Sequence, residues 1–264
     1  MLKNAQGKVS ANMKERQEAI RKFIEEHGEA LISELAVHFS SWSEMTIRRD
    51  LEYLEKNRYI LRTKGGARIL PASYGLSEDV YGEREKRNYP QKQEIARKAA
   101  ELVDEESGIY LDAGSTMMAL ARQLPDVNTA VITSAPNIAL ELAWKKQNPA
   151  VILLGGTLSR KTISISGLNV LDQLRNLNID TAFMCASGYT EKAGFSVGSQ
   201  HESELKRTVI ERARRVVMLF DSSKSGVLMP FTFARPENID VLVTDCDFPE
   251  NLRKVFQDAD VTIL

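Results

Sequence analysis

The chain changes its hydrophobic period along its length, and the changes mark its parts. From Met13 to about His27 apolar residues recur at helical spacing, with Ile20, Phe23, Ile24 and His27 on one side, and Gly28 ends the run. Leu31-Ile32 reads as a short extended piece. Ser33 is placed to cap a short helix from Glu34 to about Phe39, with Leu35, Ala36 and Phe39 facing inward. The turn Ser40-Ser41-Trp42 leads to a helix that opens at Ser43, whose hydroxyl can accept from the free N–H groups of the first turn. In that helix Ile47, Leu51 and Leu54 fall at i, i+4 and i+7 and make one apolar stripe. The opposite face carries Met45, Arg49 and Glu52, flanked by Thr46 and Arg48. After Lys56 the period shortens. Tyr59–Thr63 and Ala67–Leu70 read as two strands, and Lys64-Gly65-Gly66 as the turn between them, where glycine supplies positive φ. Two short helices and a hairpin predict a winged helix-turn-helix domain over 13–70, preceded by a loose polar tail over 1–12.

Residues 71–90 read as a linker, with Pro, Gly, Ser and the charged run Glu83–Arg87. From Gln91 to about Asp104 a helix resumes, and then short apolar strands alternate with helices. Strands are expected at Gly108–Asp112, Thr129–Thr133, Ala150–Leu154, Thr181–Ala186, Arg215–Phe220, Val241–Thr244 and Val261–Leu264. Helices are expected at Thr116–Leu124, Pro136–Lys146, Val170–Leu177, Glu202–Ala213 and Pro249–Phe256. The alternation predicts an α/β domain over 91–264 with a mostly parallel sheet.

Composition adds limits. The chain has 264 residues, 43% hydrophobic and 27% charged, as in a globular protein of two domains. It holds no apolar run of membrane-spanning length and no signal peptide, so a cytoplasmic location is expected. Cys185 and Cys246 are far apart in apolar stretches and read as buried thiols. His27, His38 and His201 form no metal-ligand spacing, and neither a metal nor a cofactor is expected. The net charge is −1, yet residues 1–70 carry 13 Lys/Arg against 10 Asp/Glu, a mildly basic segment on an acidic body.

The first domain has chemistry suited to DNA. An arginine near the start of a groove-entering helix pairs with guanine O6 and N7 or holds a phosphate. Ser43, Glu44, Met45, Thr46, Arg48 and Arg49 are the candidates on the helix, with Arg62, Lys64 and Arg68 on the wing. The second domain has polar loops at its strand ends, where ligands bind in such sheets. Asp112-Ala113-Gly114-Ser115-Thr116 follows a strand and opens a helix. Its glycine admits close approach, and the helix start offers free N–H groups with partial positive charge, which suits a phosphate. A plain capped turn has the same letters. Further loops are Thr133-Ser134-Ala135-Pro136-Asn137, Gly155-Gly156-Thr157, Ala186-Ser187-Gly188 and Asp221–Gly226, whose Lys224 is a point charge for a phosphate. Glu202 and Lys206 lie at i, i+4, a spacing that also suits an ordinary surface ion pair.

Ser43-Glu44-Met45-Thr46-Ile47-Arg48-Arg49-Asp50-Leu51, followed by the Gly65-Gly66 wing, closely resembles the signature of the DeoR family of bacterial transcriptional regulators. The resemblance continues from about Ser77 to Leu264. It implies an effector domain related in fold to ribose-5-phosphate isomerase and the CoA-transferase group, sensing phosphorylated sugars. It further implies that Asp112, Gly114, Ser115 and Thr116 hold the phosphate. Thr133, Ser134, Gly155, Gly156, Gly188, Glu202, Lys206 and Lys224 would line the pocket. Two positions depart from the family pattern. Thr133-Ser134-Ala135 stands where Thr-Asn-Ser is common, and Cys185 stands near a common glycine; both alter which sugar fits. The expected protein is a repressor of a sugar-metabolism operon, with double-stranded operator DNA and a phosphorylated sugar as partners. A dimer or tetramer is expected, matched to a palindromic or repeated operator. The alternatives are a sugar-phosphate isomerase with an appended DNA-binding domain, Glu202 as base and Lys206 or Lys224 as electrophile, and an architectural DNA-binding protein without an effector.

Overall fold

The structure, a computed structural model, describes residues 2–56, 59–69 and 78–264. The chain divides into two compact units, Met1–Tyr74 and Gly75–Leu264.

In the first unit α1 spans Leu2–His27, β1 Glu29–Leu31, α2 Ile32–His38 and α3 Glu44–Lys56. The hairpin strands are β2, Ile60–Thr63, and β3, Gly66–Ile69, and β1 joins them in an antiparallel sheet ordered β1-β3-β2. Ile20, Ile24, Leu35, Ile47 and Leu51 are wholly buried between the three helices. Each such side chain contributes roughly 1.5–3 kcal/mol relative to exposure. Asp50 turns inward beside them, 2% exposed, and accepts from Arg16 Nη2 and Gln17 Nε2, both at 3.0 Å. That pair of bonds fixes α1 to α3 and so sets the pitch of the exposed α3 face.

Several expectations need correction here. The polar stretch expected as a loose tail continues α1 back to Leu2, since no proline interrupts it. Ser33 does not cap α2. The helix starts at Ile32, because the Glu34 carboxylate accepts the Leu31 N–H at 2.8 Å. Nor do Gly65 and Gly66 adopt positive φ. Gly66 is required for another reason: a Cβ there would lie 2.1 Å from the Ala30 carbonyl, so only glycine lets β3 approach β1. Leu70 and residues 71–77 of the expected linker lie outside the described residues.

The rest of the expected linker is structured. In the second unit α4 spans Tyr81–Lys86 and α5 Tyr89–Ala100. The charged run hid α4 because its buried anchor is Tyr81 and its charges are paired, Arg84 to Glu78 at 2.8 Å and Arg87 to Asp79 at 2.9 Å. The chain continues through β4 (Gly108–Leu111), α6 (Ser115–Gln123), β5 (Ala130–Thr133), α7 (Pro136–Lys145) and β6 (Ala150–Leu153). A small hairpin, β7 (Thr157–Ser159) and β8 (Ser164–Ser166), precedes α8 (Leu168–Leu174) and β9 (Ile179–Cys185). Then come β10 (Gly188–Thr190), β11 (Gly194–Val197), α9 (Gln200–Arg212) and β12 (Ala213–Leu219). The chain closes with β13 (Phe231–Ala234), β14 (Val241–Val243), α10 (Glu250–Asp258) and β15 (Thr262–Ile263).

The main sheet has seven strands ordered β15-β14-β12-β9-β4-β5-β6, and every pairing in it is parallel. Its strands alternate their side chains between two cores. Ile109, Leu111, Phe183, Val217 and Leu219 face α5, α6 and α7 through Ile95, Met117, Leu120 and Ile138. Tyr110, Ala182, Met184, Val216 and Met218 face α8, α9 and α10 through Val170, Leu205, Val209 and Phe256. The small sheet β10-β11-β13 and the β7-β8 hairpin were not anticipated, because their strands are three or four residues long. From β4 the chain winds outward through β5 to β6, then returns to lay β9 on the other side of β4. The winding therefore reverses between β4 and β9, and sheets of this kind bind ligands outside the strand ends at that reversal.

Candidate functional site

On the first unit the candidate is the outer face of α3. Ser43 caps it, accepting the Thr46 N–H at 3.2 Å. With Ile47, Leu51 and Leu54 buried, Met45, Arg48 and Arg49 stand exposed on the other side. Glu44 lies 3.9 Å from Arg48, an exposed i, i+4 pair of small energetic weight. On the wing Lys64 occupies the turn and is exposed, as is Arg68. Arg62 is engaged: its guanidinium meets Glu52 at 3.1 Å and its N–H meets Glu55 at 3.0 Å. Thus Arg62 ties the wing to α3, and Lys64 and Arg68 carry the exposed positive charge there.

On the second unit the β4 and β9 ends bring together Asp112, Gly114, Ser115, Cys185, Glu202 and Lys206. Gly114 sits just before α6 at φ +143, a conformation side chains rarely adopt, and a Cβ would lie 3.1 Å from Cys185 Sγ. Ser115 and Thr116 open α6, so their N–H groups belong to its first turn, which has no intrahelical acceptors.

Asp112 does not offer itself to an anion. One carboxylate oxygen accepts from Lys206 Nζ and from the Cys185 N–H at 3.0 Å, and the other from the Ala113 N–H at 2.8 Å. Lys206 is 1% exposed, so it is a strut inside the site and not the surface pair its spacing allowed. Its ammonium also donates to the Cys185 carbonyl at 3.0 Å and lies 3.5 Å from Glu202. Burial alone would lower the Lys206 ammonium; Asp112 first, then Cys185 and Glu202, outweigh it and hold it charged. Burial and the neighbouring Asp112 push the Cys185 thiol up to about 12, so it is an inert filler, and its Sγ donates to the Ala113 carbonyl at 3.1 Å. Cys246, expected buried, is exposed.

Glu202 is the titrating member of the cluster. Burial raises its carboxyl to about 7, with Glu78 and Asp112 adding to the rise and Lys206 opposing it. A folded-state value above the unfolded one means that the folded protein binds the extra proton between about 4.5 and 7. The stability this contributes is therefore present at low pH and is lost as pH rises through 7. Urea unfolding of the second unit at pH 5.5 and pH 8 should show such a loss, and Glu202→Gln should flatten it. Equal pH slopes in the two proteins would refute the assignment.

The other sequence candidates divide. Thr133 and Ser134 are fully buried at the β5 end; Thr133 accepts the Ala135 N–H at 3.1 Å, and Ser134 bonds the Tyr110 hydroxyl at 3.1 Å. Gly155 is exposed after β6, with its N–H and carbonyl both held by the Gln173 side chain. Gly156 and Gly188 are close-approach glycines, whose Cβ atoms would meet the Ser166 carbonyl at 2.8 Å and the Val227 carbonyl at 2.2 Å. None of these five shares a hydrogen bond with the Asp112–Lys206 cluster among the described contacts. Lys224 does reach the site's rim: it pairs with Asp221 at 3.3 Å and acts on Cys185.

Sequence reading missed Glu78, Arg84, Asn88 and Lys92 as site residues, and named Asp221 only as the start of a loop. Glu78, 8% exposed, accepts from Ser187 Oγ, from Arg84 at 2.8 Å and from the Gly198 N–H at 3.3 Å. Asn88, held at φ 52, donates to Asp221 at 3.2 Å and to Ser223 at 2.6 Å. Lys92 donates to the Arg84 and Arg87 carbonyls, and burial, then Lys224, lower its ammonium to about 8. Glu78, Arg84 and Asn88 sit in the segment that composition marked as linker, and Lys92 in the helix that follows it.

The whole arrangement is a strand-end site at the winding reversal. A helix start faces it from within, and Arg84, Glu202 and Lys224 form the rim that solvent reaches, with side chains 22%, 16% and 23% exposed. Coupled with an α3 whose exposed face carries paired arginines, it defines a DNA-binding transcriptional regulator with a sensor domain. Residues 16–72 match the DeoR-like helix-turn-helix domain and residues 87–246 the DeoR C-terminal sensor domain. The chain belongs to the DeoR family, a family of regulators and not of enzymes. It is 35% identical over 252 residues to the HTH-type transcriptional regulator GolR of Listeria innocua, covering 94% of this chain and 97% of that one. It is 30% identical over 250 residues to the glycerol-3-phosphate regulon repressor of Escherichia coli, with 94% and 97% covered. A ribose 5-phosphate isomerase from Methanocaldococcus jannaschii is similar over 52% of this chain and 55% of that one, at 20% identity and a TM-score of 0.39, too loose to bear on function. Among the described residues no helix is long and apolar enough to cross a membrane.

Proposed function

We propose that this regulator represses a sugar-metabolism operon and that a phosphorylated sugar, bound at the start of α6, controls its hold on the operator. The observation that carries the reading is the Gly114-Ser115-Thr116 turn. It sets a helix N-terminus with free N–H groups at the winding reversal, in a site where the cations Arg84 and Lys224 act on Glu202 and Cys185. The relative in Escherichia coli is a repressor of a glycerol-3-phosphate regulon, which supports a phosphorylated small molecule as the effector class. An isomerase reading needs a free electrophile, whereas Lys206 has its donors directed at Asp112, the Cys185 carbonyl and Glu202, and Lys224 is paired with Asp221 at 3.3 Å. A thermal-shift screen of sugar phosphates, with turnover assayed for each hit, tests the proposal. Stabilisation without turnover supports it, and turnover contradicts it.

On the DNA side Arg48 and Arg49 are the proposed readers. Arg48→Ala and Arg49→Ala should each weaken operator binding by about 1–3 kcal/mol, because both point away from the buried stripe. Lys64→Ala should instead weaken specific and random duplexes alike and reduce the salt slope by about one unit. Anisotropy titrations at several salt concentrations separate the two roles. Unchanged affinity in both arginine variants would remove α3 as the reader.

We infer that the chain also associates with copies of itself, since the second unit has a surface suited to association. Leu140, Trp144, Ile152, Leu153, Leu158 and Leu168 are exposed on consecutive elements α7 to α8, and β6 is an uncharged edge strand of the main sheet. Sedimentation of the full chain should therefore give a dimer or tetramer, and a monomer at micromolar concentration would refute it.

A further inference from the structure

Glu78 stands at the head of the second unit, where the sequence joins the two units. Its carboxylate is nearly buried, and three groups hold it. Ser187 Oγ and the Gly198 N–H belong to the loops beside β10 and β11, and the Gly198 approach admits no side chain, since a Cβ would lie 3.1 Å from Glu78 Cγ. The third is Arg84 Nη1 at 2.8 Å. So the Glu78 carboxylate, together with buried Tyr81, docks the start of this segment on the sensor unit, and an arginine of that same segment neutralises the carboxylate.

That arginine has donor capacity left over. Arg84 Nε is buried without a hydrogen-bond acceptor, although the side chain as a whole is 22% exposed. An orphaned buried N–H is costly, so an acceptor arriving there is favoured. Arg84 lies on α4, which packs on α6, where Glu85 meets Arg122 of the last turn at 2.9 Å. Both Glu78 and Arg84 act on the Glu202 carboxyl, Glu78 raising it and Arg84 lowering it, so the pair is within electrostatic reach of the site.

We propose that Arg84 is a ligand of the effector's phosphate and that Glu78 is the anchor it releases. The Glu78–Arg84 pair then carries effector occupancy to the DNA-binding unit. This rests on the sensor reading above. A phosphate dianion matches the guanidinium fork and outcompetes a single carboxylate for it. Once Arg84 turns to the anion, Glu78 is left buried and unneutralised near Glu202, a like charge. Its docking on Ser187 and Gly198 weakens, and the segment that leads to the DNA-binding unit is freed. The two states thereby differ in effector affinity, which any ligand-driven shift requires.

The competition gives opposite signs for the two partners, which a merely structural pair would not. The experiment uses the full chain and a duplex selected from a random library, with inorganic phosphate and glycerol 3-phosphate as probes. It reads the probe concentration at half-maximal change in operator anisotropy, each variant against its own ligand-free affinity. Arg84→Ala should raise that concentration about tenfold or more, since a charge-assisted bond to the anion is lost. Glu78→Gln should lower it severalfold, since nothing then competes for Arg84. Shifts of the same sign, or none, in a responsive wild type overturn the switch and leave the sensor reading standing. No wild-type response to either probe removes the sensor reading and the switch together. Should Arg84→Ala fail to fold, the sign for Glu78→Gln decides alone, and an increase or no change overturns the proposal.

Discussion

Lys206→Met should destabilise the second unit by about 3–5 kcal/mol, the usual result of breaking a buried ion pair from one side. Lys206 and Asp112 have side chains 1% and 2% exposed, so neither can turn to water. Without the ammonium, Asp112 keeps only the N–H groups of Ala113 and Cys185, the Cys185 carbonyl loses a donor, and Glu202 loses its nearest cation. The effect should be non-additive. Asp112→Asn on top of Lys206→Met removes the stranded charge and should restore part of the loss, because removing both charges is far less harmful than removing one. Urea unfolding monitored on the second unit measures both. A loss below about 1 kcal/mol in the single variant, or strict additivity in the pair, would mean that the ion pair does not hold the β4 and β9 ends together.

Ser115→Glu should abolish the response to a phosphorylated effector while the protein still binds its operator. The new carboxylate would project from the first turn of α6, where it takes the place of an anion and repels a second one. Position 115 is 9% exposed, so the larger side chain fills the seat and cannot simply swing into solvent. An acid at a helix N-terminus is otherwise stabilising by about 0.3–1 kcal/mol, which favours survival of the fold. The effector concentration for half-maximal response should rise at least about a hundredfold, with two or more backbone donors lost to the phosphate. Lys224→Ala should shift it in the same direction but less, one point charge being lost. A folded Ser115→Glu protein with a wild-type response would put the phosphate elsewhere.

The two units and the main strands were legible because their signals are local. The Ile47-Leu51-Leu54 stripe needs only helical spacing, and β9 is apolar over Ala182–Cys185 because both faces of a parallel sheet are covered. Gly114-Ser115-Thr116 was legible as a strand-to-helix turn. Its place at the winding reversal was not, because that depends on strand order: β9 returning beside β4 is a contact between residues some 70 positions apart, as in Cys185 N–H to Asp112. Asp112 and Lys206 were picked out by residue type as ligand groups, yet they bind each other, since mutual neutralisation is what permits burial at that site. Glu78 and Arg84 escaped notice because a helix of six residues with charged faces looks like linker until its partners Ser187 and Gly198 are known. Gly66 was flagged for its turn, but the reason for it lies across the sheet at Ala30.

The central claim is that a phosphoryl group on a small molecule governs operator binding. The direct measurement is anisotropy of a labelled operator duplex with the wild-type chain, titrated with sugar phosphates and, in parallel, with the same sugars lacking phosphate. The account predicts that at least one phosphorylated compound changes operator affinity and that its unphosphorylated counterpart leaves it unchanged. An equal effect from the sugar alone, or no effect from any phosphorylated member, would contradict it.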